Sequence, residues 1–430
     1  MTDEVLIVGG GIGGLVTALS LHQAGVPVRV YEAVPRIEPL GVGINLLPHA
    51  VREMEELDLR RALEADGVLC RELAYYTKRG QRIWSEPRGE EAGYRWPQIS
   101  IHRGALQMVL LRAALERVGE DRIHLGHRVA QVESDAGVVE VTLEDPSGRS
   151  LGRAQGALLV AADGIHSSVR RQFYPDEGPP RWNGAIMWRG VADAPPYLDG
   201  RTMIMAGHPE LKFVCYPISN AGARPGHRCI NFIAEKRVPV SDDATPEERE
   251  DWTRRAHIDD FLPLYEDWTF DWLDVPALIR ATDAVWIYPM VDRDPLPRWT
   301  FGRATLLGDA AHPMYPIGSN GASQAILDAR ALTGCLLAHP GDVERALERY
   351  EADRRPATAR IVTANRGMGP ELPMQLVEER APDGFERLQD VISDEELSEI
   401  ADGYKRVAGF AVESLNARAS LADPQSWREP

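Results

Sequence analysis

Val5-Leu-Ile-Val8, Gly9-Gly-Gly-Ile-Gly-Gly14 and Leu15-Val-Thr-Ala-Leu-Ser-Leu21, followed after Ala24-Gly25 by Val26-Pro-Val-Arg-Val-Tyr31 and Glu32, form the stretch whose reading decides the fold. An apolar run, a glycine turn, apolar positions suited to a buried helix and a second apolar run predict a β-α-β unit. Each part has a physical task. Gly9 permits the tight turn, Gly11 lets the backbone approach a pyrophosphate, and Gly14 lets the helix pack on the strand. The helix that follows the turn offers unpaired N–H groups and the positive end of its dipole to phosphates. Glu32, eighteen residues past Gly14, closes the second strand where an acid accepts ribose hydroxyls. The motif in this context predicts a dinucleotide-binding unit without choosing between NAD and FAD. No second glycine fingerprint follows.

Composition narrows the class further. The 430 residues hold 44% apolar and 26% charged side chains, a profile that excludes disorder, collagen and small disulfide scaffolds. Acidic residues outnumber basic ones by 65 to 48, a balance that argues against nucleic acid or an anionic membrane as partner. Only four of the basic residues are lysines (Lys78, Lys212, Lys236, Lys405). Four cysteines without CxxC or histidine spacing predict neither a metal site nor a redox dithiol. No apolar stretch reaches membrane-spanning length and no leader pattern precedes Val5, so a cytoplasmic location is expected.

Two further blocks bear on the cofactor. Ala157-Leu-Leu-Val-Ala-Ala-Asp-Gly164 reads as a strand ending at Asp163, with Ser167 and Arg170 fixing the turn into a helix. Arg303-Ala-Thr-Leu-Leu-Gly-Asp309 reads as another strand, and it leads through Ala310-Ala-His-Pro-Met-Tyr-Pro-Ile-Gly-Ser-Asn-Gly321 into a helix from Ala322 to Leu332. The glycine fingerprint with Glu32, the DGxxSxVR block and the GDAAHxxxPxGxNG block resemble, in the same order, the signatures of the FAD-dependent aromatic hydroxylases, the class A flavoprotein monooxygenases. Pro39 to Asn45, Trp84 to Gly89, Ile101 to Gly104, Met187 to Gly190, Tyr288 to Pro297 and Gly321 to Asp328 are similar to the phenazine hydroxylase branch.

The resemblance implies an α/β (α+β) fold: a Rossmann-like FAD-binding domain with an inserted antiparallel-sheet substrate domain and a C-terminal helical segment. The expected boundaries are 1–180 with 284–368 for the FAD domain and 181–283 for the substrate domain. Residues 70–100 are a candidate further contributor to the sheet, and 369–430 form the helical segment. The expected cofactor contacts, besides Gly9, Gly11, Ile12, Gly13, Gly14 and Glu32, are Val42 and Gly43 against the ring, Arg103 and Gln107 near the pyrophosphate, and Val129 near adenine. Asp163, Asp309, Pro316, Gly318, Asn320, Gly321 and Ala322 complete the set, with Pro316 and Gly318 facing the flavin and Asp309 on the ribityl chain. A basic residue such as Arg103 at a helix start opposes the helix dipole unless an anion sits there. His312 is expected to be structural.

Alternating strands from Arg181 to Met290 offer Trp188, Met203, Met205, Tyr216, Phe232 and Tyr288 as pocket residues, with half of any such set facing away because side chains alternate. For Arg189 a salt bridge or an outward position is expected rather than a substrate contact. Pro246 to Trp268 reads as an acidic, solvated helix, and Asp342 to Arg366 as a long helix interrupted near Pro356.

The function implied is single-component monooxygenation. NADH or NADPH reduces the flavin, O2 forms a C4a-hydroperoxyflavin, and an aromatic substrate such as a phenazine or phenolic acid is hydroxylated, with or without decarboxylation. The absence of a Ser/His/Asp or paired-carboxylate signature fits a reaction carried by the cofactor. The partners expected are the aromatic substrate and oxygen, in a monomer or homodimer. Alternatives are a reductase or halogenase of the same fold, although halogenases carry an active-site lysine that is not expected here, or a flavin-binding module without turnover.

Overall fold

The computed structural model describes residues 4–135, 137–238 and 254–428. The strand Val5–Val8 lies between Val28–Glu32 and Leu158–Ala161, both parallel to it. Ile123–Leu125 extends this sheet on one side, and Ala304–Leu306 with the antiparallel Thr300–Phe301 extends it on the other. The central strands are buried on both faces and accordingly read as continuous apolar runs. Parallel pairing brings the ends of Val5–Val8, Leu158–Ala161 and Ala304–Leu306 to one edge, so Gly9, Asp163 and Asp309 leave the sheet side by side although 300 positions of sequence separate the first from the last. Ligands bind at that edge in open α/β sheets.

A second, eight-stranded sheet runs in the order Arg255–Ala256, Thr282–Asp292, Arg181–Ala194, Arg228–Arg237, Leu211–Ser219, Thr202–His208, Glu72–Tyr76, Arg82–Pro87. The last two strands come from residues 70–100, which pair in parallel with Thr202–His208 through Glu72–Tyr76. One face of the sheet packs on Phe261, Tyr265, Trp268, Val275 and Ile279. The stretch expected to be a solvated acidic helix therefore differs from its reading. Residues 246–253 lie outside the described residues, while Arg255–Ala256 is a short strand and Ile258–Asp260 and Leu262–Tyr265 are 3-10 turns, with Phe261 and Tyr265 wholly buried. Its aromatic residues, not its acids, set its place.

A three-stranded sheet in the order Gly43–Leu46, Gln98–His102, Val68–Cys70 packs against the eight-stranded sheet at Leu211–Ser219. Helix Val343–Arg366 runs unbroken through Pro356, where interruption was expected. Pro356 deprives only the Ala352 carbonyl of its helical donor, and just beyond the proline Thr358 Oγ1 donates to the Arg354 and Arg355 carbonyls. Helices Leu372–Arg380, Asp394–Val407 and Val412–Ala417 follow, and the last two are separated by a turn at Gly409 with φ +75°. Among the described residues no helix is long and apolar enough to cross a membrane.

Candidate active site

The glycine turn is held by sterics and by hydrogen bonds. Gly9 has φ +101°, and a Cβ there would lie 2.5 Å from the Ala162 carbonyl oxygen. A Cβ on Gly14 would lie 1.9 Å from the Gly9 oxygen, and one on Gly13 would press on Leu307 at 2.9 Å. Gly11 differs: its Cβ direction is open, so the turn presents bare backbone to free space. The Glu32 carboxylate accepts from the Gly10 N–H at 2.5 Å and the Val34 N–H at 2.9 Å, and Gln107 Nε2 donates to the Gly10 carbonyl at 2.9 Å. These residues enclose a cleft of about 520 Å³, bordered also by Arg103, Val129 and Asp163. Ile12 and Gly13 stand behind it, in the helix Ile12–Gln23, and serve the packing of that helix.

Asp163 borders the cleft, but its carboxylate belongs to its own turn. It accepts from Ser167 Oγ at 2.6 Å and the Ser168 N–H at 2.8 Å, and burial raises its pKa against those hydrogen bonds. Ser168 Oγ donates to the Val129 carbonyl at 2.9 Å, so that oxygen too is committed. Arg170, wholly buried, donates to the carbonyls of Ala310 and Ala311 at 2.9 and 3.0 Å and thereby ties the second sequence block to the third. His312 is structural: its Nε2 lies 2.5 Å from Asp328 Oδ2, and Arg354 binds the other oxygen at 2.8 Å. Burial alone would push the Asp328 pKa up, but these two partners hold it below the usual range.

Beyond the cleft lies a cavity of about 240 Å³ lined by Val42, Gly43, Arg103, Asp309, Pro316, Gly321 and Ala322 on one side and by the eight-stranded sheet on the other. Arg103 borders both spaces. Its N–H is fixed on the Val42 carbonyl at 2.9 Å, while its guanidinium makes no hydrogen bond or ion pair among the described residues. Asp309 is open to the cavity space yet surrounded by protein. That enclosure raises its pKa, with His312 and Arg103 opposing, and its carboxylate has no hydrogen-bond partner among the described residues. Gly43 is pinned from both sides, its N–H on Asn231 Oδ1 at 2.7 Å and its carbonyl on Arg189 Nη2 at 2.9 Å.

The loop before helix Gly321–Ala338 corrects two expectations. Gly318, φ +70°, faces away from the cavity, and a Cβ there would meet the Tyr404 hydroxyl at 2.0 Å. Asn320 is wholly buried, and its Nδ2 donates to the Gly318 carbonyl at 3.1 Å and to Tyr404 Oη at 2.9 Å, so its side chain supports the loop and contacts no cavity. Tyr404 donates in turn to Asn365 Oδ1 at 2.8 Å. The C-terminal helices thus prop the loop from behind, a role that no local signal in the sequence marks. The helix itself begins without a side-chain cap, which leaves its first N–H groups free beside Ser319, Gly321 and Ala322 on the cavity wall.

On the sheet, alternation divides the expected pocket residues. Met203, Met205 and Tyr216 line the cavity. Trp188 and Phe232 do not: both point to the opposite core, where Trp188 stacks on Phe261 with centroids 5.1 Å apart. Their neighbours in sequence, Met187, Arg189 and Ile233, face the cavity instead. Tyr288 lies beside it with its ring 5.5 Å from the Arg189 guanidinium carbon, while Pro289 and Met290 form the wall. Arg189 therefore faces inward, contrary to its reading. Lys212, Glu235 and Glu371, which sequence reasoning missed, also border the cavity. A lysine thus stands there after all, ion-paired to two glutamates. Its signal was parity, since Lys212 and Tyr216 are four positions apart on one strand.

The fold and these two connected spaces define a class, the flavin-dependent hydroxylases. The family described as FAD binding domain matches residues 2–274 and 283–365, and the chain belongs to it as an FAD-dependent monooxygenase. The chain is 46% identical over 367 residues to the phenazine 1,6-dicarboxylic acid hydroxylase of Lysobacter antibioticus, covering 84% of this chain and 89% of the relative. It is 32% identical over 417 residues to the 3-amino-4-hydroxybenzoate 2-monooxygenase of Streptomyces cremeus, covering 95% and 96%. The crystal structure of a Klebsiella pneumoniae HpxO variant complexed with FAD superposes with a TM-score of 0.69 at 26% identity, over 94% of each chain.

The residues present fit FAD. Gly11 leaves room for a pyrophosphate, Arg103 supplies an unpaired cation between cleft and cavity, and Asp309 supplies an unpaired acceptor. The uncapped helix at Gly321 adds donors for negative charge on a ring.

Proposed function

We propose that this chain is a single-component enzyme that takes NADH or NADPH, O2 and an aromatic carboxylic acid and hydroxylates the ring in the cavity between the eight-stranded sheet and the loop Pro316–Ala322. One observation carries the reading: Arg103 and the unpartnered Asp309 stand where the dinucleotide cleft opens into an apolar cavity walled by Met187, Met203, Met205 and Ile233. FAD, reduced by the nicotinamide, supplies the activated oxygen for which no side chain is needed. The chain's own residues do the rest. Arg103 neutralises phosphate charge, Glu32 holds the glycine turn ready, and Asp309 accepts from a sugar hydroxyl. The free N–H groups at Gly321 and Ala322 steady negative charge on the reduced ring. The methionines and Ile233 keep water from the reacting atoms, and Arg189 orients the acid of the substrate. Dependence on reduced nicotinamide accords with a cytoplasmic setting. The substrates of the two relatives, a phenazine dicarboxylic acid and an aminohydroxybenzoate, support an aromatic acid as the class.

The test is NAD(P)H oxidation by the flavin-loaded protein with phenazine carboxylates and phenolic acids, followed by product mass. Stimulated oxidation with gain of one oxygen, or exchange of carboxylate for hydroxyl, is the expected result. Flavin that neither nicotinamide reduces would overturn the single-component reading.

A further inference from the structure

The cavity-facing side chains of the sheet fall into rows set by the strand register. Met187, Glu235 and Lys212 are cross-strand neighbours, as are Arg189, Ile233, Val214 and Met205, and as are Asn231 and Tyr216. Successive same-face residues are about 7 Å apart along a strand, so the charged row and the Asn231–Tyr216 row lie about 13 Å apart, with a largely apolar row between them. A flat aromatic laid across the middle row therefore meets polar groups at both ends.

The charged end is unusual for an apolar cavity. Lys212 is about 5% exposed, and its ammonium lies 2.5 Å from Glu371 Oε2 and 3.0 Å from Glu235 Oε2. Burial would lower the lysine pKa, but the two carboxylates reverse this and raise it. The cluster sets one cation against two carboxylates, a formal net charge of −1, with burial and the neighbouring Glu371 pushing the Glu235 pKa up against the pull of Lys212. Each glutamate bonds Lys212 through Oε2, and no hydrogen bond from the described residues reaches either Oε1. Apolar residues of the same volume would hold the sheet to the segment at Glu371 as well or better, because burying three charges is costly. In the middle row Arg189 has the opposite character: its Nε is buried without a partner among the described residues.

We propose that Lys212, Glu235 and Glu371 form a recognition subsite for a hydrogen-bond-donating ring substituent, an amino or hydroxyl group, and that the subsite disfavours a second carboxylate at that end of the substrate. The free carboxylate oxygens accept from such a donor, whereas a carboxylate meets two others across a low-dielectric wall. The first acid group belongs near Arg189, whose charge no carboxylate in the cavity row answers. The proposal rests on the reading of the cavity as an aromatic-acid site.

The experiment measures dissociation constants on the FAD-loaded protein, from the perturbation of bound-flavin absorbance. The probes are phenazine-1-carboxylate derivatives bearing a second amino, hydroxyl or carboxylate group. The wild type is expected to bind the amino and hydroxyl compounds about tenfold more tightly than the dicarboxylate. Glu371→Gln, which takes the cluster to zero net charge, is expected to reduce that ratio toward one while FAD content stays full. Glu235→Gln gives the same reading should the first variant fail to hold flavin. An unchanged ratio in a flavin-loaded variant, or a wild type that prefers the dicarboxylate, would overturn the subsite. A wild type that oxidises NAD(P)H but binds no aromatic acid would instead overturn the proposed substrate class, and the subsite with it.

Discussion

The dinucleotide cleft and the adjoining cavity share Arg103 but are built by different means. The cleft is made largely of backbone: a turn in which a Cβ at Gly9 or Gly14 would collide with a carbonyl oxygen, and carboxylates at Glu32 and Asp163 that accept from backbone N–H groups. The cavity is made of side chains that converge from separate strands, the loop at Pro316 and the segment at Glu371. A site made of backbone tolerates little change in sequence, whereas a site made of side chains changes its ligand one residue at a time.

Variants can break this comparison. The largest effect is expected from Glu32→Lys, which removes the hydrogen bonds from the Gly10 and Val34 N–H groups and sets a cation where an acceptor is needed. FAD affinity should fall about a thousandfold, from the loss of two charge-assisted hydrogen bonds. Full flavin content after purification would refute the assignment of the cleft. Next, Trp188→Ala and Met205→Ala contrast the two faces of one sheet. Loss of the stacked indole should cost about 3 kcal/mol of stability and leave ligand dissociation constants alone, whereas the methionine variant should weaken aromatic-acid binding. If Trp188→Ala shifts ligand affinity in a fully folded protein, the division of faces is mistaken.

Asp309→Ala should weaken FAD binding about tenfold by loss of a charged acceptor, with the flavin-free protein melting no lower than before, since that carboxylate has no partner to lose. Isothermal titration of the flavin-free protein with FAD, beside its melting curve, checks both halves. The smallest effect concerns the seam between the helix Pro48–Glu56 and the C-terminal segment around Phe410. There His49 stacks on Phe410 at 5.2 Å and is held well below its usual pKa by burial and by Arg418 and Arg354. The unfolded chain binds a proton at His49 near the ordinary value of about 6.5 that the folded chain refuses, so stability falls as the pH drops below that value. The fall measured between pH 7.5 and 5.5 should be shallower in His49→Phe, and equal slopes would remove His49 from the account.

The two regions also differed in how far they could be read in advance. Gly9, Gly11, Glu32, Gln107 and Arg103 border one cleft, and the turn itself was legible because a tight turn and a helix start depend on residues adjacent in sequence. Asn320 and Gly318 belong to a recognisable block yet face the C-terminal helices, and only the packing of Tyr404 reveals this. Trp188 and Phe232 were attractive as aromatic pocket residues, but strand parity turned them to the opposite core and brought in Met187 and Arg189. The reading of Pro246 to Trp268 weighed its acids, while Phe261 and Tyr265 decided where the described part lies.

The sequence by itself determined the β-α-β nucleotide unit, the order of the three cofactor blocks and the family, because each depends on short-range geometry that few residues satisfy. Only the tertiary structure decided the chemistry of the cavity. Lys212, Glu235 and Glu371 come together through strand register and through a segment that meets the sheet from 159 positions away. One step of register would have turned Lys212 and Glu235 to the other face, since alternate side chains point to opposite sides of a strand.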